Sequence, residues 1–218
     1  MTRIIRSEKL KDKTYFEKTK FALLTELQRG KILSAGLENG YVYMAYPYSQ
    51  ESVGRFREIT QSDEDTFFPV LIPDLITMES LTSIHSSELK LLAATFWPGP
   101  MNIVAPLLPG LTIDLGAKSY PANIYCRVPS NRFLRELLGL AGPLIYATAP
   151  QISGQAARQV ADIAPKIKRQ IDIIVDSGRC RYVKPATTVS FAVQPPKIVR
   201  LGIIEETKLR SVLQHLSD

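Results

Sequence analysis

Two arginines in this chain sit in apolar company, where a guanidinium must find an anion or a route to water. Arg200 interrupts Ile198-Val199-Arg200-Leu201-Gly202, and Arg127 interrupts Ile124-Tyr125-Cys126-Arg127-Val128-Pro129. Escape to water along the aliphatic stem is the commoner fate of one such arginine. Capture of an anion is the alternative that carries chemistry. A further candidate is the run Ala147-Thr148-Ala149-Pro150-Gln151-Ile152-Ser153-Gly154. Hydroxyls and a glycine feeding a helix start present unpaired N–H groups and a positive dipole end to a phosphate, while Ser153 serves equally as a plain N-cap. Asp114-Leu115-Gly116 and Asp176-Ser177-Gly178 read as strand-end turns, and neither His85 nor His215 has a partner motif that would make it a catalytic base. Beside those histidines stand only Cys126 and Cys180, so no metal-ligand spacing exists and two free thiols are expected.

These groups act together only if strands and helices bring them together. The one tryptophan stands in Phe96-Trp97-Pro98-Gly99-Pro100-Met101, where prolines flanking a glycine neither continue a helix nor donate to a ladder, so a stiff turn is expected. Thr14-Tyr15-Phe16-Glu17 matches a capping box for a first helix carrying Phe16, Leu23, Leu24 and Leu27 and ending at Gly30. Residues 31–35 and 41–46 read as two strands around a Gly36-Asn39-Gly40 turn, closed by Pro47, and residues 49–66 as a loop or short surface helix. Val70-Leu71-Ile72 resumes the sheet. Ser86 or Ser87 caps a helix with Leu89, Leu92, Ala93 and Phe96, which runs into the tryptophan turn. Strands are then expected over 102–107, 111–115 and 122–128, followed by a short helix with Phe133, Leu134, Leu137 and Leu138 stopped by Gly139. Strand 144–147, helix 156–167 and strand 172–175 form a β-α-β unit, residues 187–193 and 197–201 a hairpin, and residues 203–218 a last helix with Leu209, Val212, Leu213 and Leu216 on one face. The alternation of strands and helices places the chain in the α/β class.

At 218 residues, 45 % hydrophobic and 22 % charged, the composition is that of a globular chain able to bury one sizeable core. A single domain over residues 1–218 is expected. No apolar run approaches the roughly 20 residues that cross a bilayer, and Met1-Thr2-Arg3-Ile4-Ile5-Arg6 lacks the apolar stretch of a secretory signal. A cytoplasmic protein without a membrane partner is the expectation. The formal charge of +6 is unevenly spread: residues 1–31, read as a basic helical segment, hold nine Lys or Arg against four acidic residues, whereas 38–74 hold seven acidic residues against Arg55 and Arg57. Such basic stretches fit a polyanion or, equally, solvated faces that maintain solubility.

Taken in order, several of these pieces resemble the YrdC/YciO family, from about Leu33 to Gly202. Its early Pro-Thr-Asp/Glu-Thr-x-Tyr-Gly-Leu segment has a counterpart in Pro47-Tyr48-Ser49-Gln50 with Gly54 displaced, and its Trp-Pro-Gly-Pro-Leu/Met-Thr in Trp97-Pro98-Gly99-Pro100-Met101-Asn102. Arg-x-Pro is matched by Arg127-Val128-Pro129, Thr-Ser-Ala-Asn-x-Ser-Gly by Thr148 to Gly154, Ser-Thr-Val-Val by Ala186-Thr187-Thr188-Val189, and Arg-x-Gly by Arg200-Leu201-Gly202. The resemblance implies a twisted mixed sheet with helices packed on it, curved around a basic concave cavity that binds ATP beside threonine and bicarbonate. It implies threonylcarbamoyl-AMP synthesis, in which threonine carbamate attacks the α-phosphate and expels pyrophosphate, with a magnesium ion on the phosphates. A partner system then modifies a tRNA adenosine. By that pattern Arg200 and Ser153 face the nucleotide, Thr148 and Thr187 supply hydroxyls, and Ser49 borders the threonine pocket.

The departures fall on ligands more than on turns. The family's Lys-x-Arg has no counterpart at its usual spacing, and Arg55-Phe56-Arg57 is the nearest substitute for substrate-binding cations. Its Ser is Ala149, its Asn is Gln151 and its Ser-Thr pair is Ala186-Thr187. A retained fold with changed or lost catalysis fits this pattern. Three functions remain open: a working synthase; a noncatalytic relative holding nucleotide or double-stranded RNA, the latter mostly through phosphate and sugar contacts; and an interaction module. No single catalytic residue is assigned.

Overall fold

Alternate side chains of the central strand Tyr41–Ala45 enter two different buried clusters, Tyr41, Tyr43 and Ala45 in one and Val42 and Met44 in the other. A pleated strand covered on both faces has this pattern. The computed structural model describes residues 2–214, so His215 and Leu216 lie outside the described residues. Among these, ten strands occur: β1 (Arg3–Arg6), β2 (Leu33–Gly36), β3 (Tyr41–Ala45), β4 (Val70–Leu71), β5 (Met101–Pro106), β6 (Asn123–Arg127), β7 (Leu144–Thr148), β8 (Ile173–Asp176), β9 (Thr187–Ser190) and β10 (Lys197–Arg200). They join in one mixed sheet, ordered β1-β8-β2-β3-β7-β4-β6-β5-β9-β10. The β1/β8, β8/β2, β4/β6 and β5/β9 ladders are parallel and the remainder antiparallel.

Helices α1 (Lys13–Gln28), α2 (Gln50–Thr60), α3 (Leu75–Leu81), α4 (Ser87–Phe96), α5 (Arg132–Ala141), the single turn α6 (Pro165–Lys168) and α7 (Glu206–Gln214) complete the described chain. One face of the sheet is covered by α1 and α5 through Leu23, Leu27, Leu134, Leu137 and Leu138. The other packs against α2, α3, α4 and α7 through Phe56, Met78, Leu92 and Leu209. Short polar side chains start the helices by accepting from backbone N–H groups: Asp12 from Tyr15, Ser49 from Ser52, Ser86 from Leu89 and Asn131 from Leu134, at 2.7, 3.2, 3.1 and 3.2 Å. At α1 the cap is thus Asp12, not the expected Thr14.

Other expectations need correction. Residues 1–31 are not wholly helical, because Arg3–Arg6 pairs in parallel with β8 before a 3-10 turn leads into α1. Of the loop or short helix left open over 49–66, residues 50–60 take the helix, whereas α3 is an addition to the expected elements. Residues 111–115 join no ladder. The helix expected over 156–167 is absent because extended pairing claims its first residues. Pro150 bridges Ala156, the Ala157 N–H donates to the Ala149 carbonyl at 2.8 Å, and the Ala157 carbonyl accepts from Tyr41 at 2.7 Å. After a 3-10 turn at Val160–Asp162, α-helix begins only at Pro165, which suits a first helical position. The helix-start phosphate site at Ser153 therefore does not exist as such.

Two glycines fix the ends of the strands that matter most. In the tryptophan turn the Gly99 N–H donates to Val128 at 2.9 Å and the Trp97 indole donates to the Met101 carbonyl at 2.7 Å, tying the start of β5 to the end of β6. After β10, Gly202 lies so close to β9 that a Cβ would stand 2.1 Å from the Pro185 carbonyl oxygen and 2.8 Å from the Thr187 nitrogen. Backbone on one side and a hydroxyl clamp on the other leave no room to relax. Gly202→Ala should lower stability in urea denaturation by about 1–3 kcal/mol, the usual cost of overpacking, and should loosen the β9–β10 pairing in hydrogen exchange.

Candidate functional site

Glu38 follows β2 and Arg127 ends β6, four ladder steps away in the order β2-β3-β7-β4-β6, yet the two side chains form an ion pair. A flat sheet would separate those strands by about 19 Å at about 4.8 Å per step, so the sheet curls around the space between them. The concave side holds a hollow of two adjoining lobes, of about 180 and 560 Å³, that share Asn102, Tyr146, Thr148 and Arg200. Arg127 lines the smaller lobe and Thr188 the larger.

A chain of polar side chains crosses its floor. The Arg127 Nη2 donates to a Glu38 carboxylate oxygen and to Asn39 Oδ1 at 3.1 Å, and the Ser130 N–H donates to the other Glu38 oxygen at 2.5 Å. Tyr146 donates its phenol proton to Asn102 Oδ1, and the Asn102 amide donates to Thr188 Oγ1, each at 3.3 Å. Arg127 is only 3 % exposed, and its Nε is buried without a hydrogen-bond partner among the described residues. Burial pushes the Glu38 carboxyl pKa up, but the Arg127 charge and the Ser130 amide together outweigh it and hold the group below its ordinary value. Burial also raises the Tyr146 phenol, against the opposing pull of Arg127. Arg200 is exposed at the mouth, anchored by Nε to the Ala186 carbonyl at 3.1 Å and paired with no carboxylate among the described residues.

The structure brings Thr148 and Arg200 together in this hollow. Thr187 faces elsewhere: its Oγ1 accepts from the Gly202 and Ile204 N–H groups at 3.1 and 3.0 Å, and its neighbour Thr188 meets the hollow instead. In a strand a one-residue step reverses the face. Ser153 is exposed in the 150–156 turn and does not line the hollow. Ser49 caps α2, which packs on the opposite face of the sheet. From that helix Arg55 reaches Asp172 at 2.6 Å and the Gln170 carbonyl at 3.1 Å, a structural engagement, and Arg57 lines neither lobe. At the sequence level Arg127, Asn102, Tyr146 and Thr188 were not assigned to the site. Arg127 carried a signal in its place inside an apolar run, and Asn102 and Thr188 stood within the family motifs; Arg127 turns inward rather than to water. The two thiols are free, as expected, and both are buried. Among the described residues no three His, Cys, Asp or Glu side chains gather as a metal site.

The sequence pattern of the Sua5/YciO/YrdC family, described as telomere recombination, matches residues 25–202. The chain belongs to that family. A Methanocaldococcus jannaschii relative provisionally named threonylcarbamoyl-AMP synthase is 26 % identical over 188 residues, spanning 86 % of this chain and 87 % of its own. Among solved structures, Pyrococcus abyssi Sua5 complexed with L-threonine superposes with a TM-score of 0.81 at 22 % identity, over 97 % of this chain and 60 % of that one. Escherichia coli YciO superposes with a TM-score of 0.75 at 18 % identity, over 94 % and 97 %. The YrdC-like fold is thus established, and the chain spans about three fifths of the Pyrococcus protein.

The buried ion pair sets a stability prediction. Arg127→Ala strands the Glu38 carboxylate and should cost roughly 3–5 kcal/mol in chemical denaturation. Because the folded Glu38 pKa lies below its ordinary value of 4.5, its charge stabilises the fold above that value, and the contribution fades as pH falls through the lowered folded pKa. The stability difference between wild type and Glu38→Gln should therefore be full at neutral pH and vanish in acid.

Proposed function

We propose that the concave hollow binds ATP and that the chain forms a carbamoyl adenylate of the threonylcarbamoyl-AMP type, the activity named for its relatives. The observation carrying this reading is the convergence of Thr148 from β7, Thr188 from β9 and Arg200 from β10 on one hollow whose far wall is the buried Arg127. An amine and bicarbonate give a carbamate and water. A carbamate oxygen then attacks the α-phosphorus, a new P–O bond forms, and the bond to the bridging oxygen breaks as pyrophosphate leaves. Such a displacement asks for positioning and charge stabilisation more than for covalent work by the protein. Arg200, exposed and paired with no carboxylate among the described residues, takes phosphate oxygens; Thr148, Thr188 and Asn102 orient the phosphate and the incoming oxygen. The Arg127–Tyr146 wall holds the amine-bearing substrate. A magnesium ion would enter bound to the phosphates and would offset their charge; among the described residues no three His, Cys, Asp or Glu side chains gather to hold one.

Binding of tRNA or double-stranded RNA is the second reading, and a separate feature favours it. Glu38 also lines a cleft of about 660 Å³ on its other side, bordered by Arg132, Arg179 and Arg181. Guanidinium groups at a cleft mouth suit phosphate contacts. No helix among the described residues is long and apolar enough to cross a membrane.

Pyrophosphate release from ATP should depend on both threonine and bicarbonate; release by folded protein that ignores either one removes the synthase reading. Arg200→Ala should weaken ATP binding in calorimetry by about tenfold, or about 1.4 kcal/mol, with an unchanged melting temperature because the side chain is exposed. For the RNA reading, a gel shift at low salt should disappear as salt rises and should be lost on replacing Arg132, Arg179 and Arg181 together with glutamine.

A further inference from the structure

Tyr125 lies between Ile124 and Cys126, which are fully buried in the cluster under α2, so the pleat turns its ring to the concave side, as it does the Arg127 side chain two residues on. One end of the larger lobe is aromatic as a result. Phe67 joins Tyr125 there, the ring centroids 5.7 Å apart and the planes inclined by 49°, so the two rings are not stacked on each other. Val199 from β10 borders the same lobe at 56 % exposure. We infer that the base of the nucleotide seats against Phe67, Tyr125 and Val199, and that this contact, more than the phosphates, supplies the affinity of the hollow for ATP. The assignment rests on the reading of the hollow as an ATP site and orients the nucleotide within it, base at the aromatic end and phosphates at Arg200.

Charge and surface both favour that direction. Arg200 is the one Lys or Arg lining the larger lobe among the described residues, and it stands exposed, where water and salt screen its pull on a phosphate. A single screened cation binds weakly. Thr66, which lines the lobe beside Phe67, follows the acidic run Asp63-Glu64-Asp65. Glu64 pairs with Lys118, but Asp63 and Asp65 have no cationic partner among the described residues, so a triphosphate laid along this end would meet like charge. A base carries no charge. Its flat face suits half-buried aromatic rings and an exposed valine, because covering them removes apolar surface from water and because stacking on an aromatic ring needs no hydrogen-bond partner. At the other end of the same lobe Thr148, Thr188 and Arg200 offer hydroxyls and charge, which a phosphate uses and a base face does not.

The test separates base from phosphates by titrating adenosine, ATP and inorganic tripolyphosphate calorimetrically into the full chain. Adenosine should bind within about tenfold of ATP, and tripolyphosphate should fail to displace ATP where adenosine succeeds. The double variant Phe67→Leu with Tyr125→Leu keeps apolar bulk and removes the aromatic faces. It should weaken adenosine and ATP alike by about tenfold, whereas Arg200→Ala should weaken ATP and leave adenosine unchanged. A role confined to packing would lower the melting temperature without producing that contrast between nucleoside and triphosphate. Displacement of ATP by tripolyphosphate with no binding of adenosine overturns the inference, and the wild-type titrations decide this even if the double variant folds poorly. Pyrophosphate release that depends on threonine and bicarbonate but keeps its KM for ATP in the folded double variant also overturns it, and spares the synthase reading. Nucleotide binding that depends on the aromatic pair, without such release, refutes the synthase reading and leaves the base site standing. Binding of neither ATP nor adenosine removes both.

Discussion

The Glu38–Arg127 ion pair is the constraint around which the rest of the site is arranged. It joins the loop after β2 to the end of β6 across a sheet that would otherwise hold them apart, and in doing so it records the curl that makes the concave face a container. Buried ion pairs contribute little net stability, since desolvation consumes most of their attraction, but they are severe about geometry because either partner left alone is costly. Here the severity is amplified by shared partners. Asn39 shares Nη2 with Glu38, the Ser130 amide shares the carboxylate, and Asn131 one residue later both caps α5 and donates to the Gly36 carbonyl at 3.1 Å. One charge pair therefore sets the end of β2, the end of β6 and the start of α5 relative to each other. It is also a partition, with the two-lobed hollow on the arginine side and the basic cleft on the carboxylate side.

The opposite wall is set by register. Thr187 and Thr188 are chemically identical neighbours, and the pleat sends one hydroxyl to the Gly202 and Ile204 amides and the other to Asn102 in the hollow. The inward clamp holds the segment after β10 against β9, which is why Gly202 has no space for a side chain. That clamp in turn fixes where Arg200 leaves the sheet. Fold and site are thus the same structure seen from two faces of one strand.

How far the sequence could be read follows from this. The α/β class, most strands, the stiff tryptophan turn and the collinear family motifs were legible because they depend on local chemistry: apolar periodicity, caps, proline and glycine. The inward turn of Arg127 was not, since the counter-charge that tolerates it lies 89 residues away in sequence. Nor could periodicity tell Thr187 from Thr188, because a strand edge misplaced by one residue exchanges their faces. The helix expected over 156–167 failed for a related reason. Its alanines have good helix propensity, but Ala156 and Ala157 are claimed by extended pairing with Pro150, Ala149 and Tyr41, and tertiary hydrogen bonds override a weak local preference. Arg55, the nearest substitute for the family's missing cations, is engaged by Asp172 on the covered face.

Thinned ligands do not by themselves mean an idle pocket. A site that catalyses by positioning can exchange one cation for another group so long as donors still converge where negative charge develops. In this chain two arginines meet the hollow with different surroundings: one exposed at the mouth and paired with no carboxylate among the described residues, and one buried at the back in an ion pair with Glu38. The first presents a single positive charge to solvent at the mouth. The second is held by Glu38 and Asn39 and fixes the wall behind the hollow. A hollow organised this way offers fixed hydrogen-bonding groups at its closed end and an open positive charge at its mouth, within a single curl of the sheet.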